Sequence, residues 1–202
     1  MTTDETSAEP AATARAVATA ETVGGPQDAL VARARAGNLR AFETLVRQNQ
    51  ERILRTALHM LSNREDARDA AQETFIRMYS YLHNLKPGRP VEPWLYRIAV
   101  NVCRDMLRKR ARTAAVSAHH LRPAAVQPCM DGFERREMLL AALDRLTERE
   151  RSAIVLRDIQ GLGTKDTAKA LGIRQVTVRA LISKARIKLK KFLDAGGDAD
   201  EL

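Results

Sequence analysis

The sequence predicts an all-α protein made of two small helical domains joined by a flexible linker, and three observations support this. Aromatic residues make up only 4% of the chain, with ten glycines and seven prolines among 202 residues; this is a composition of helices rather than of a β-sandwich. Apolar residues recur at helical spacing through most of the chain. The period dissolves once, over residues 113–132, where Ala, Ser, His, Pro123 and Pro128 replace it. A structureless stretch of that length is uncommon inside one compact domain and points to a junction between two.

Charge is distributed unevenly. Residues 1–27 carry four acids against Arg15, a net −3, and residues 194–202 carry four acids, a net −4; the chain total of +9 therefore leaves +16 on residues 28–193. A helical core this basic suits a polyanion, with nucleic acid the first candidate and an anionic membrane surface the second. No run approaches the roughly 18 to 20 apolar residues that cross a bilayer. The Ala/Thr-rich start is broken by acids and lacks the order of a secretion signal, so a cytoplasmic protein without membrane insertion is expected. Cys103 falls in a helical pattern and Cys129 in the linker, with no CxxC and no paired His spacing; neither a disulfide nor a zinc site is expected. His119, His120 and Cys129 lack a fixed scaffold for a metal, and no cofactor is expected.

In chain order, residues 1–26 are low-complexity Ala/Thr/Glu ending in Gly24, Gly25 and Pro26, too poor in large apolar side chains to offset the entropy of ordering. They are expected to form a disordered tail. Asp28 caps a short helix closed by Gly37 and Asn38. Leu39 to Leu61 follows as a second helix, its apolar line Phe42, Leu45, Val46, Ile53, Ala57, Leu58 and Leu61 interrupted by the polar run Gln48 to Arg52.

Asn63 to Leu82 is the helix around which the first half is organised. Asn63 is a good N-cap, and Glu65 and Asp66 place negative charge at the positive end of the helix dipole. Ala71, Phe75, Met78, Tyr79 and Leu82 form the stripe expected to be buried. On the other side Asp69, Gln72, Glu73 and Ile76 follow i, i+3, i+4 and i+7, an acidic, amide-bearing ridge with one apolar residue in it. That ridge is either a solvated face or a docking surface.

The segment HNLKPGRPVEP is a stiff loop. Pro93 suits the first turn of the next helix, whose Leu95, Ile98, Ala99, Val102 and Met106 form its core side. Trp94 is expected to belong to the core. Arg97, Asn101, Arg104 and Arg108 follow i, i+4, i+7 and i+11 on the opposite face, extended by Lys109, Arg110 and Arg112. Arg and Asn are the side chains that read base edges and phosphates; plain solvation, with the last cations complementing the helix dipole, is the other use of such a face.

Beyond the linker, Met138, Leu139, Ala142, Leu143 and Leu146 mark one helix, and Thr147 to Glu150 fits a capping box that opens another, ending near Gly161. A short helix from about Thr164 to Leu171, a turn at Gly172 and Ile173, and a longer helix from about Gln175 then make a helix-turn-helix. Ala168 permits a close crossing, Leu171, Ile173 and Val178 supply the small core, and Ile182 and Leu189 extend it. Arg174, Gln175, Thr177, Arg179, Lys184 and Arg186 face outward, with side chains suited to a major groove.

With these motifs in place, the chain resembles the extracytoplasmic-function (ECF) group of bacterial RNA polymerase sigma factors across nearly all of residues 28–193. DARDAAQETFIRMY resembles that family's region 2.2 helix, PWLYRIAVNVCRDMLRKR its region 2.4, and the segment from Leu146 to Leu189 its region 4. The resemblance implies an alternative sigma factor with a region 2 domain over 27–112, a linker over 113–132, a region 4 domain over 133–193 and an acidic tail over 194–202. It implies that Asp69, Gln72, Glu73 and Ile76 dock on the β′ clamp coiled coil of core polymerase, with the β flap a second polymerase contact. It further implies that Arg97, Asn101, Arg104 and Arg108 meet the −10 promoter element, that Arg174 to Arg186 meet the −35 element, and that an anti-sigma factor is a partner. Four positions depart from the family pattern: Gly163 replaces the usual Ser, Thr167 an Ile or Val, Arg174 the Ser of the turn, and Leu181 a frequent Arg. They bear on −35 preference rather than on the motif.

Two other classes compete. A stand-alone helix-turn-helix repressor accounts for the second domain and the charge but leaves the acidic ridge and the Arg/Asn helix unused. A nucleic-acid-processing enzyme would need Asp66, Asp69 and Glu73 as metal carboxylates, yet no further acids or His converge on them, and no phosphate-cradling loop or nucleophile motif is present. No catalytic residue is assigned.

Overall fold

Two asparagines set the frame of the first half. The Asn38 side chain accepts the Ala41 N–H at 3.0 Å, and the Asn63 side chain accepts the N–H groups of Glu65 and Asp66 at 2.9 and 3.0 Å, so each starts a helix by satisfying donors that the helix itself leaves free. The computed structural model describes residues 26–85, 88–116 and 131–194. Among them lie α1 (Pro26–Arg35), α2 (Leu39–Leu61), α3 (Arg64–Tyr81), α4 (Val91–Val116), α5 (Asp131–Asp144), α6 (Glu148–Ile154), α7 (Thr164–Leu171) and α8 (Gln175–Asp194), with a 3-10 turn at Leu82–Asn84 and a π-helical turn at Val155–Ile159. The described residues contain no strand.

In the first half α1 packs on α2, and α2, α3 and α4 pack on one another. Leu45, Ile53 and Met60 of α2, Met78 of α3, and Leu95, Val100 and Val102 of α4 are fully buried at their junction. The polar run Gln48 to Arg52 does not interrupt α2, because Asn49 is buried with its amide donating to the Leu45 carbonyl at 2.8 Å. In the second half α6, α7 and α8 enclose Leu143, Val155, Leu156, Val178 and Ala185. The capping box at Thr147 forms as expected, Thr147 N–H donating to Glu150 and Glu150 N–H to Thr147 Oγ1. Between α7 and α8 Gly172 takes φ +67°, and the Ile173 N–H reaches the Ala168 carbonyl at 3.1 Å. That left-handed cap is available to glycine at little cost.

Several expectations require correction. Asp28 lies in the first turn of α1, which begins at Pro26, rather than capping it; Gly37 and Asn38 close α1 as expected, through N–H groups donating to the Ala34 and Arg33 carbonyls at 3.1 Å, and the Asn38 side chain caps α2 as well. Tyr79 is 57% exposed: the buried side of α3 is centred on Ala67, Ala70, Thr74 and Met78, and Tyr79 lies off its flank with its ring edge-on to Phe42 at 5.0 Å. Met138 and Leu139 are also exposed, because the side that α5 buries is centred on Ala142 and Leu143 among its described side chains. Trp94 is half-buried. Helix α4 runs to Val116, into the expected linker, through residues that favour helix such as Ala111, Arg112 and Ala114. Pro26, expected in the first tail, opens α1, and Asp194, expected in the acidic tail, ends α8; the rest of both tails (1–25 and 195–202), the remainder of that linker (117–130), and with it His119, His120 and Cys129, lie outside the described residues.

The two halves pack against each other. Arg151 of α6 is buried and donates to the Met60 carbonyl at the end of α2 at 3.0 Å, while its other terminal nitrogen pairs with Asp144 at 2.6 Å. The Ser62 hydroxyl donates to the same Asp144 at 2.7 Å, and Tyr96 donates across the junction to Gln160 at 3.3 Å. A guanidinium is well placed there, since the last carbonyls of a helix are unsatisfied and carry its negative dipole end.

Candidate nucleic-acid and partner interfaces

Helix α3 turns its ridge outward. Asp69 and Gln72 are exposed, Glu73 is half-buried, and Ile76 is 53% exposed. Glu73 accepts from Arg77 one turn on at 2.7 Å, and Arg77 reaches Asp105 of α4 at 3.3 Å. The hydrogen bond that Arg77 donates to Glu73, helped by Asp105, holds its guanidinium above its usual range. These contacts fix the base of the ridge and leave Asp69 and Gln72 exposed, without a polar partner among the described residues. Beside it, Val102 and Met106 of α4 line a shallow groove of about 390 Å³ together with Asp69, Gln72 and Ile76. An apolar side chain rimmed by a carboxylate and an amide can grip an amphipathic helix of another protein.

The outer face of α4 is divided. Arg97, Asn101 and Arg108 are exposed. Arg97 and Asn101 share a cavity of about 290 Å³ with Tyr81, Asn84 and Trp94, where amide, guanidinium and ring faces converge. A single unstacked base needs that combination: an aromatic surface to stack on and an amide to meet its edge. Tyr96, the other aromatic of this segment, is buried and serves the junction with the second half.

Arg104 departs from the expected free ridge. Its side chain is only 17% exposed, and its Nε lies 2.8 Å from Glu148 Oε1, though off the N–H direction, so the pair is a charge contact rather than an aligned hydrogen bond. One terminal nitrogen donates to Ser152 at 3.4 Å. Burial lowers the Arg104 pKa despite Glu148 opposing it. In this arrangement Arg104 belongs to the contact between the halves. The cations beyond it are divided too, since Arg110 pairs with Asp66 of α3 at 2.9 Å while Arg108 and Lys109 stay exposed.

In the second half the start of α8 is presented clear of the body. Arg174, Gln175, Thr177 and Arg179 are all exposed, as is Lys184 further along. Val178, Ile182 and Ala185 hold the opposite side in the core. Arg186 is exposed but engaged, its Nε and one terminal nitrogen each 3.0 Å from a different oxygen of Asp158. That bidentate pair raises the Arg186 pKa and orients the helix rather than leaving its guanidinium free. Val176 is 70% exposed between Gln175 and Thr177; helical periodicity does not mark it, although an apolar side chain at the head of a recognition helix can meet a thymine methyl. Its signal was the valine itself, on the polar side of the pattern.

Glu150 ties this half together internally. Burial favours its neutral form, but Lys188 at 2.7 Å and the Thr147 N–H outweigh that and hold its carboxyl below its ordinary value. Cys103 is a free, fully buried thiol, pushed by burial up to about 12, so at neutral pH it is a packing residue rather than a reactive thiolate. Arg151 and Tyr96 are the contact residues that the sequence left unmarked, because their partners lie dozens of residues away.

Comparison with known proteins places this geometry in a family. Residues 45–113 match the Sigma-70 region 2 model, and residues 136–189 match the Sigma-70, region 4 model. The ECF RNA polymerase sigma factor SigE of Mycolicibacterium smegmatis is 36% identical over 159 residues, covering 76% of this chain and 62% of that protein, a little under two thirds of its length. The ECF RNA polymerase sigma factor SigM of Mycobacterium tuberculosis is 33% identical over 162 residues, covering 78% of this chain and 80% of SigM. The solved structure of CnrH in complex with the cytosolic domain of CnrY superposes with a TM-score of 0.68 at 28% identity, over 84% of this chain and 97% of that one. Two surfaces fit for nucleic acid, a third fit for a protein helix, and the regions that match in the family's order together lead to one conclusion: the chain belongs to the ECF family of RNA polymerase sigma factors.

Proposed function

We propose a division of labour among the three surfaces of this alternative sigma factor, which binds core RNA polymerase, recognises −10 and −35 promoter elements and directs transcription initiation. The exposed ridge Asp69, Gln72, Glu73 and Ile76 docks on the β′ clamp coiled coil. Arg97 and Asn101, with Trp94 and Tyr81 lining the same cavity, take a base of the −10 element out of the stack, and Arg108 holds the backbone beside it. Arg104 joins them once the second half has moved away. Arg174, Gln175, Thr177 and Arg179 read the −35 element in the major groove, with Lys184 and Arg186 toward the phosphates and the second half held by the β flap. No bond in the DNA is made or broken; binding energy alone opens the duplex. The site of action is the cytoplasm. An anti-sigma factor holds the protein until it is needed, a reading in keeping with the similar fold of the sigma factor RpoE, solved in complex with the anti-sigma factor NepR from Bartonella quintana.

The observation that carries this reading is the presence, in one chain, of a free recognition helix together with a base-sized cavity lined by an amide and aromatic rings. A stand-alone repressor has no use for the second. Run-off transcription with core polymerase on a genomic promoter library tests it. A small set of start sites that depends on the protein is the expected result; duplex binding without core polymerase, and no gain in start-site selection with it, would mean a repressor.

A further inference from the structure

A concave surface that the promoter-directed function leaves unused lies between α2, α3 and α5. It encloses about 490 Å³, and Arg55, His59, Arg64, Arg68 and Arg136 converge on it. Glu51 is the one carboxylate in its lining; it sits at the rim, 83% exposed, and is taken by Arg55 at 2.7 Å. Arg64, Arg68 and Arg136 have no carboxylate partner among the described residues. Like charges gathered around one cavity repel, and a fold keeps such a cluster most readily when an anion occupies it. His59 adds a second, independent observation. It is 94% buried, from its 6% exposure, it lines the cavity, and its Nδ1 is buried without a hydrogen-bond partner among the described residues. Buried polar nitrogens are seldom left so. Burial first, and then Arg136 and Arg55, lower its pKa, so the imidazole is held toward its neutral form beside these cations.

We propose that this cavity binds a small phosphate-bearing anion, an inorganic oligophosphate or a nucleotide polyphosphate, clasped between the two halves of the protein. Planar guanidinium forks match phosphate oxygens two at a time, and the volume falls in the range of small-molecule sites. A track for a DNA backbone would instead run as a stripe over a convex surface. The groups facing His59 come from all three helices: Glu51 and Arg55 from α2, Arg64 and Arg68 from α3, and Arg136 from α5. Because Arg136 belongs to the second half, a bound phosphate clips α5 to α2 and α3 and favours the closed arrangement that keeps Arg104 covered.

Calorimetric titration of the full chain with inorganic pyrophosphate tests this, alongside the double variant Arg68→Gln and Arg136→Gln and the control Arg47→Gln on the exposed side of α2. Saturable one-to-one binding is expected, weakened at least about tenfold in the double variant and unchanged in the control, in keeping with the loss of two charge-assisted contacts. A nucleoside triphosphate titrated in parallel distinguishes the sources: tighter binding than pyrophosphate assigns the site to a nucleotide, equal binding to the oligophosphate. The His59 imidazole resonances of the unaltered protein should move along the same isotherm, a readout independent of how well any variant folds. Equal heats in wild type and double variant, or resonances of His59 that do not move, would each overturn the proposal.

Discussion

Replacing Arg151 by Met keeps the length of the side chain and removes the guanidinium that joins the two halves. The Met60 carbonyl loses a charged donor at 3.0 Å in a buried position, a contact worth about 1.5 to 3 kcal/mol when its partner is left unsatisfied. The ion pair with Asp144 adds less: the Arg151 side chain is 9% exposed but that of Asp144 is 48% exposed, so the freed carboxylate rehydrates and the loss is at most about 1 kcal/mol. Relief of the buried guanidinium, whose Nε has no partner, acts in the opposite direction. The net cost is about 2 kcal/mol, or roughly a 30-fold shift from closed toward open, at 1.36 kcal/mol per tenfold. The chain's single tryptophan makes the assay simple. Trp94 fluorescence follows the first half alone, whereas circular dichroism follows the helices of both. In guanidinium chloride the two signals should coincide for the unaltered protein and separate in Arg151→Met, with X-ray scattering showing a longer maximum dimension. Coincident transitions with an unchanged midpoint in the variant would refute the role given to Arg151.

Two further outcomes follow from the second half. Arg179→Ala should weaken −35 binding by about 1 to 3 kcal/mol and relax base preference there, whereas Lys184→Ala should weaken all sequences alike and lower the salt slope by about one; fluorescence anisotropy on promoter duplexes carrying point changes separates the two. Glu150 has its folded pKa held below its ordinary value of 4.5, so its contribution to stability is complete above that value and fades as pH falls through it toward the folded pKa. Lys188→Met should flatten that acid limb in a series of denaturation midpoints taken from about pH 3 to 6, and an unchanged limb would mean that the pair contributes nothing.

What the sequence revealed and what it hid divide along the range of the forces involved. The bounds of α2, the caps at Asn63 and Thr147 and the helix-turn-helix were legible, because caps, periodicity and the glycine at 172 act within a few residues. The exposure of Asp69 and Gln72 was legible for the same reason, as the i, i+3 pattern places them opposite Ala67, Ala70 and Thr74. Tyr79 was misplaced because a stripe drawn through Ala71 and Phe75 lies slightly to one side of the face that meets α2 and α4, and one helical position turns a side chain by about 100°. Met138 and Leu139 were misplaced because their burial depends on how the halves meet. The engagement of Arg104 with Glu148 and of Arg186 with Asp158 spans 44 and 28 residues, and no local rule foretells such pairings. Spacing nominated these cations for DNA; packing decided which of them are free in the closed form.

The most direct test of the central claim is the affinity of the purified chain for core RNA polymerase, measured with and without Asp69→Ala and Gln72→Ala together. Neither side chain has a polar partner among the described residues, so the fold should be unaffected while core binding falls about 10- to 100-fold, the range for two contacts at the centre of an interface. An unchanged affinity, with the variant folded as the parent, would contradict the assignment of the α3 ridge to the polymerase.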